Sequence, residues 1–164
     1  MYIREAQQKD LTIILDIMND AILNTTSIYD YGIRSNEFVE NWFAKKRLDN
    51  MPVLVCEIDG QAVAYGSYGA FRAWDAYKFS VEHSIYVQKN FQGQGIGKQL
   101  LIALVDKAKK GGIHTMIAGI DADNQKSYDF HKKLGFFEVA KFKEVGYKFD
   151  RWLDLIFMQL MLND

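Results

Sequence analysis

The stretch Val81-Glu-His-Ser-Ile-Tyr-Val87, Gln88-Lys-Asn90, Phe91-Gln-Gly-Gln-Gly-Ile-Gly97, followed by a helix opening at Lys98, decides how the rest of the chain is read. Val81, His83, Ile85 and Val87 alternate with Glu82, Ser84 and Tyr86, which predicts a strand with two distinct faces. Past the glycines, Leu101, Leu104, Val105 and Ala108 recur at the spacing of an amphipathic helix packed on a sheet. Strand therefore becomes helix at Gly93, Gly95 and Gly97. Glycines there let backbone N–H groups turn toward a ligand at the positive end of a helix dipole, and Lys89 and Lys98 oppose no anion. A plain change of chain direction uses the same residues, so the cluster alone leaves both readings open. Spacing excludes two familiar phosphate loops: there is no Gly-x-x-x-x-Gly-Lys-Ser/Thr run, and Gly93-x-Gly95-x-Gly97 is not the dinucleotide fingerprint.

A chain of 164 residues suits one domain, taken here as residues 1–164, with a single sizeable core. Its net charge of -1 and 49% hydrophobic content argue against a disordered tail or a dedicated polyanion binder, so nucleic acid is not an expected partner. Cys56 is the only cysteine, which rules out an internal disulfide and a cysteine-rich metal site. Within the apolar run Val53 to Ile58 it reads as a buried small hydrophobe rather than a nucleophile. No basic-then-apolar leader and no long apolar run stands out, so the expectation is a cytoplasmic protein without membrane insertion.

Taken in order, Tyr2 to Glu5 predicts a first strand. Asp10 is placed to cap a helix with Leu11, Ile14, Leu15, Met18 and Ile22 on one face, and Ser35 to cap a second with Phe38, Val39, Trp42 and Phe43. Asp59-Gly60 predicts a two-residue hairpin between Val53–Ile58 and Ala62–Tyr68. The aromatic loop from Gly69 to Tyr77 follows. After the central strand and helix come a strand over His114–Ile120 and a helix in which Asn124, Ser127, Tyr128 and His131 share a face while Phe130 and Leu134 pack inward. A strand pair from Val139 to Leu160 ends the chain. This order gives an α+β class: a mixed, mostly antiparallel sheet flanked by helices.

Two motifs carry a resemblance. Gln92-x-x-Gly95-x-Gly97 resembles the acyl-CoA diphosphate loop of the GNAT acetyltransferase superfamily. Asn124-x-x-Ser127-x-x-Phe130-His131-x-Lys133-x-Gly135-Phe136 resembles its second signature, in which the Asn lines the pantetheine arm. More narrowly, Val81–Val87, Asn24-Thr-Thr26 and Val145-Gly-Tyr-Lys-Phe-Asp-Arg-Trp-Leu-Asp-Leu155 are similar to the phosphinothricin and methionine sulfoximine N-acetyltransferase branch. The resemblance covers the whole chain. It implies the GNAT acyl-CoA N-acyltransferase fold, acetyl-CoA as co-substrate with no metal, direct attack by a small amino-acid-like amine, and a homodimer. It places the cofactor on the segment Gln92, Gly93, Gln94, Gly95, Ile96, Gly97 and Lys98, mainly through backbone, with Ile85, Tyr86 and Val87 pairing the pantetheine amides as an added strand would. Asn124 and Ser127 then face the pantetheine.

Where most of the superfamily carries Tyr beside the thioester sulfur, this chain and the branch it resembles carry His131, a candidate general acid for the departing thiolate; a packing role is the alternative. Glu82 is the candidate base, or else an ion-pair partner of Arg72, and His83 on the opposite strand face reads as structural. Arg72 suits a carboxylate or a tetrahedral anionic group, with Phe71, Trp74 and Tyr77 as apolar walls. Competing readings are a GNAT enzyme for a peptide N-terminus, lysine or polyamine, and a catalytically silent CoA-binding sensor. The near-neutral charge offers no acidic trough for a polycation.

Overall fold

A strand apolar on both faces has to be covered on both sides, and Val53–Ile58 is such a strand. The computed structural model, which describes residues 1–162, places it within a seven-stranded sheet of order β1-β2-β3-β4-β5-β7-β6. The strands are β1 (Tyr2–Glu5), β2 (Val53–Ile58), β3 (Gln61–Ala70), β4 (Ser80–Val87), β5 (Thr115–Asp121), β6 (Phe137–Lys148) and β7 (Arg151–Met161). Helices α1 (Leu11–Asn24) and α2 (Asn36–Leu48) cover one face, and α3 (Ile96–Lys110) and α4 (Gln125–Lys133) the other. The α+β class and the element order are those expected from the sequence.

Alternation along β4 sorts its side chains between two cores. Val81, Ile85 and Val87 pack under α3 with Leu100, Leu101 and Leu104, while Tyr86 packs under α1 and α2 beside Tyr65. Cys56 is fully buried, and burial pushes its thiol pKa up, as a packing residue requires. Asp59 and Gly60 both take positive φ, 50° and 82°, the backbone of a primed two-residue hairpin turn.

Among the differences from the sequence reading, three have a clear physical reason. Asp10 does not cap α1 with its side chain; its buried carboxylate instead pairs with Arg4 at 2.7 Å and accepts from the Gln7 amide. Helix α3 opens at Ile96, not Lys98, because Gly95 in the left-handed region serves as its N-cap. Strand β3 continues to Ala70, since Ala70 pairs with Val81 and carries the ladder into the aromatic loop.

Every neighbouring strand pair is antiparallel except β4 and β5, and that exception positions the site. Only Ser80, Val81 and Glu82 find partners, in Thr115, Met116 and Ile117. Beyond Glu82 the two strands part, so residues 83–87 present an unpaired backbone edge on the β5 side. The α1–α2 connection is fixed from far away in sequence. Lys148 Nζ donates to the carbonyls of Thr25 and Ile28, both at 2.7 Å, the Thr26 hydroxyl donates to the buried Asp121 carboxylate, and Arg151 pairs with Asp123 at 2.8 Å. Among the described residues no helix is long and apolar enough to cross a membrane, and no three His, Cys, Asp or Glu side chains gather as a metal site.

Candidate active site

Glu82 stands at the last paired position before β4 and β5 separate, on the face covered by α1 and α2. Its side chain reaches across toward β5: a Cβ on Gly119 would come within 3.0 Å of Glu82 Oε1, so glycine at that position leaves room for the carboxylate. Partial burial raises the Glu82 pKa, with Arg72 opposing the shift from a distance. A carboxyl with a raised pKa in a cleft is a stronger proton acceptor than one in water.

The carboxylate lines a cavity of about 200 Å³ between the sheet and the first two helices. Its apolar wall comes from Met18, Ile22, Ile28, Phe38, Trp42 and Tyr65; its polar groups are Ser67, Ser84, Arg34 and Lys46 besides Glu82. Arg34 is already committed, to Asp30 in an ion pair of 2.5 Å and to the Gly32 carbonyl. Lys46 reaches from α2 to the Tyr68 carbonyl at 2.8 Å, and burial pushes its pKa down to about 8.

A second hollow of about 400 Å³ runs between α1 and the end of β4, from Thr25 and Ser27 past Ile85, Tyr86 and Val87 to Gln92. Tyr86, at the open edge of β4, lines both hollows. At the far end lies the N-terminus of α3, which no side chain caps. Its first N–H groups have no intrahelical acceptor and point outward. Gly93 and Gly95 hold φ of 78° and 79°, and a Cβ on either would meet no protein atom within 4 Å, so the cradle faces open space. Gln92 and Gln94 spend their amide donors inside the loop, on the carbonyls of Val87 at 3.1 Å and Asn90 at 3.4 Å. Ile96 is buried. The outward main-chain N–H groups of this loop suit an anion, and the exposed Lys98 adds charge nearby.

On the opposite side of β4, Asn124 caps α4 by accepting from the Ser127 amide at 3.0 Å, which leaves its own NH₂ group as a donor. His131 is the buried residue of α4 and meets Ser127 one turn before it on the same helix face. Tyr128, like Phe130 and Leu134, packs partly buried against the core. The backbone contact places a proton on Nδ1 of His131. Nδ1 lies 2.7 Å from the Ser127 carbonyl and donates to it, so in the neutral ring Nε2 accepts, from His83 Nε2 at 3.1 Å. His83 Nδ1 is left buried without a partner. Burial lowers the pKa of both rings. Burial of both rings opposes the expected cationic proton donor at His131, whose Nε2 faces His83 rather than open space. Replacing His131 with Phe should accordingly change turnover by less than about tenfold, yet cost about 1–3 kcal/mol of stability by stranding the His83 donor. A hundredfold loss of turnover at unchanged thermal midpoint would restore the acid role.

The structure brings Glu82 and the residues proposed for the cofactor around one open strand edge, and it does not bring the aromatic loop into the cavity. Trp74 is 76% exposed, and Phe71 packs edge-on against Phe157 at 5.9 Å. Arg72, over the Phe71 ring, approaches Glu82 only closely enough to ease its ionisation. Sequence reading missed Lys46 and Arg34 as cavity cations and missed the contact between His83 and His131.

Comparison with known proteins gives the family. The model of the Acetyltransferase (GNAT) family matches residues 16–136, and the chain belongs to that family. It is 42% identical to an L-amino acid N-acyltransferase of Escherichia coli, over 100% of this chain and 95% of that protein. An L-methionine sulfoximine/L-methionine sulfone acetyltransferase of Salmonella typhimurium is 41% identical, over 100% of this chain and 96% of its own. The crystal structure of a phosphinothricin acetyltransferase from Sinorhizobium meliloti in complex with acetyl-CoA superposes with a TM-score of 0.96 at 34% identity, covering 99% of this chain and 88% of that one. The resemblance drawn from the sequence is thereby borne out.

Proposed function

We propose that this chain transfers the acetyl group of acetyl-CoA to the amino group of a small amino-acid analogue, namely methionine sulfoximine, methionine sulfone or phosphinothricin. The observation that carries the reading is Glu82, a carboxyl with a raised pKa lining a small cavity at the point where β4 leaves β5. Acetyl-CoA supplies the acetyl group and a thiolate leaving group. The uncapped α3 N-terminus holds the diphosphate, and the free edge at 85–87 and Asn124 hold the pantetheine arm. Glu82 takes the proton that the acceptor amine sheds as its new bond to the acetyl carbon forms, directly or through one water. No protein acid is required for departure, since an alkyl thiol has a pKa of about 8.5 and leaves readily as thiolate. Arg72 lies in the aromatic loop outside this cavity and acts through its charge, which keeps Glu82 more readily ionised. A cavity of about 200 Å³ suits a single small amino acid, which favours a free amino-acid acceptor.

A panel of acceptors with a thiol-release assay tests this. Turnover is expected with at least one of the three analogues and little with spermidine or a peptide amine. The reverse pattern would move the chain to peptide or polyamine acetylation, and no turnover with any amine would leave a CoA-binding sensor. The buried free thiol suits a reducing compartment, and we place the enzyme in the cytoplasm.

The reading includes a homodimer through β6. This twelve-residue strand lies at the sheet edge, and Val145, Tyr147, Phe149 and Trp152 around it are all about half exposed. A long aromatic edge strand is stable in solution when something covers it. Sedimentation should give the mass of two chains, falling to one in Trp152→Asp. A monomeric wild type with full activity would remove the dimer.

A further inference from the structure

Resting on the acceptor class just proposed, we infer that Lys46 is the specificity residue that binds the α-carboxylate of the acceptor amino acid. Elsewhere its charge makes only weak contacts, lying 5.8 Å from the centroid of the Trp42 ring and feeling Asp49 from a distance. The ammonium has a single protein acceptor, the Tyr68 carbonyl, and among the described residues no carboxylate pairs with it. The nearby Asp49 is taken by Lys45 at 2.7 Å. A largely buried cation without a counter-ion is costly, and the cost is offset when an anion enters beside it. The other cavity cation, Arg34, has its anion already in Asp30.

The placement suits an amino acid held by both ends. A Cβ on Gly69 would stand 3.1 Å from Lys46 Nζ, and Gly69 is the cross-strand partner of Glu82. The ammonium therefore sits over the residue directly opposite the base, on the same face of the sheet. Directly opposed positions are separated by about 5 Å between their Cβ atoms, a span that the amine and carboxylate on one α-carbon can bridge. The two charges do not satisfy each other, because the Glu82 carboxylate leans away toward Gly119 on β5. An acceptor whose amine meets Glu82 thus turns its carboxylate toward α2 and Lys46, while the side chain is directed to the remaining apolar wall. The same arrangement disfavours an amine whose α-carbon bears an amide in place of a carboxylate.

The test compares methionine sulfone with the amine left when its carboxyl group is removed, in wild type, Lys46→Met and Lys46→Arg. Wild type should prefer the amino acid in kcat/KM, and Lys46→Met should reduce that preference on the order of 30- to 1000-fold, mainly through acceptor KM. The acetyl-CoA KM should stay within about threefold. The intrinsic basicities of the two amines cancel in the comparison between enzymes. Lys46→Arg keeps the cation and should retain most of the preference, which an effect of lost packing would not do. A preference unchanged in Lys46→Met, or lost equally in Lys46→Arg and Lys46→Met, overturns the assignment. A wild type active on these analogues with an unchanged ratio in the variants removes only Lys46; a wild type inert toward every amino acid removes the acceptor class and this role together.

Discussion

Glu82→Gln lowers kcat/KM for the acceptor by about two to four orders of magnitude, the range of a lost general base, while acetyl-CoA affinity is unchanged. The amide preserves the shape that Gly119 accommodates, so the loss is one of proton acceptance rather than packing. The pH profile gives an independent reading. Since the folded protein raises the Glu82 pKa, wild-type activity falls as pH drops through that raised value, and this acid limb disappears in the variant. The stability effect has the opposite sign. A carboxyl with a raised folded-state pKa favours folding below its unfolded pKa and loses that contribution as pH rises, so ionised Glu82 is a burden at neutral pH. Glu82→Gln should therefore melt at the same or a higher temperature. Activity within threefold of wild type would assign the base to water alone.

Gly95→Val should lower acetyl-CoA affinity at least a hundredfold by calorimetry, with the sheet intact by circular dichroism. Two effects combine. Valine at φ 79° is strained by about 1–2 kcal/mol, and its Cβ projects where the orphan N–H groups of α3 face outward. There is no internal clash to confuse the result, because no protein atom lies within 4 Å of that Cβ. Gly97→Ala is the control: its Cβ would touch Phe130 at 3.8 Å, an ordinary contact, and binding should change little. Unaltered affinity in Gly95→Val would remove the diphosphate from this loop.

Local chemistry was legible in the sequence where it is carried by period and turn residues. The alternation of β4, the glycine N-terminus of α3 and the Asp59-Gly60 turn all follow from rules that act within about ten residues. What escaped depends on partners far apart in the chain. His131 and His83 are separated by 48 residues, and nothing in the period of α4 announces that its histidine points at a strand. Lys46 looked like one basic residue in a run of three at the end of α2, where lysines ordinarily favour the helix dipole. Only tertiary packing tips its ammonium under the sheet. Arg72 drew attention because it stands among aromatics, but Phe71 turns to Phe157 and keeps the loop outside the cavity. Gly119 did leave a trace, a glycine inside an otherwise apolar strand, which marks a close approach by another group. The turn between β6 and β7 left none, since Phe149 and Asp150 take positive φ without any glycine.

The bonds from Lys148 to Thr25 and Ile28 join positions 123 and 120 residues apart. They set an order of events during synthesis. At roughly 5–20 residues per second, the α1–α2 connection emerges on the order of 6–25 seconds before the lysine that pins it. Until then the backbone on either side of Ser27 is held by local bonds, such as those of Thr25 to Ala21 and Ser27 and of Asn19 to Arg34. The nascent chain can assemble its central sheet and the diphosphate loop first, and it gains a defined acceptor pocket only when the final hairpin docks.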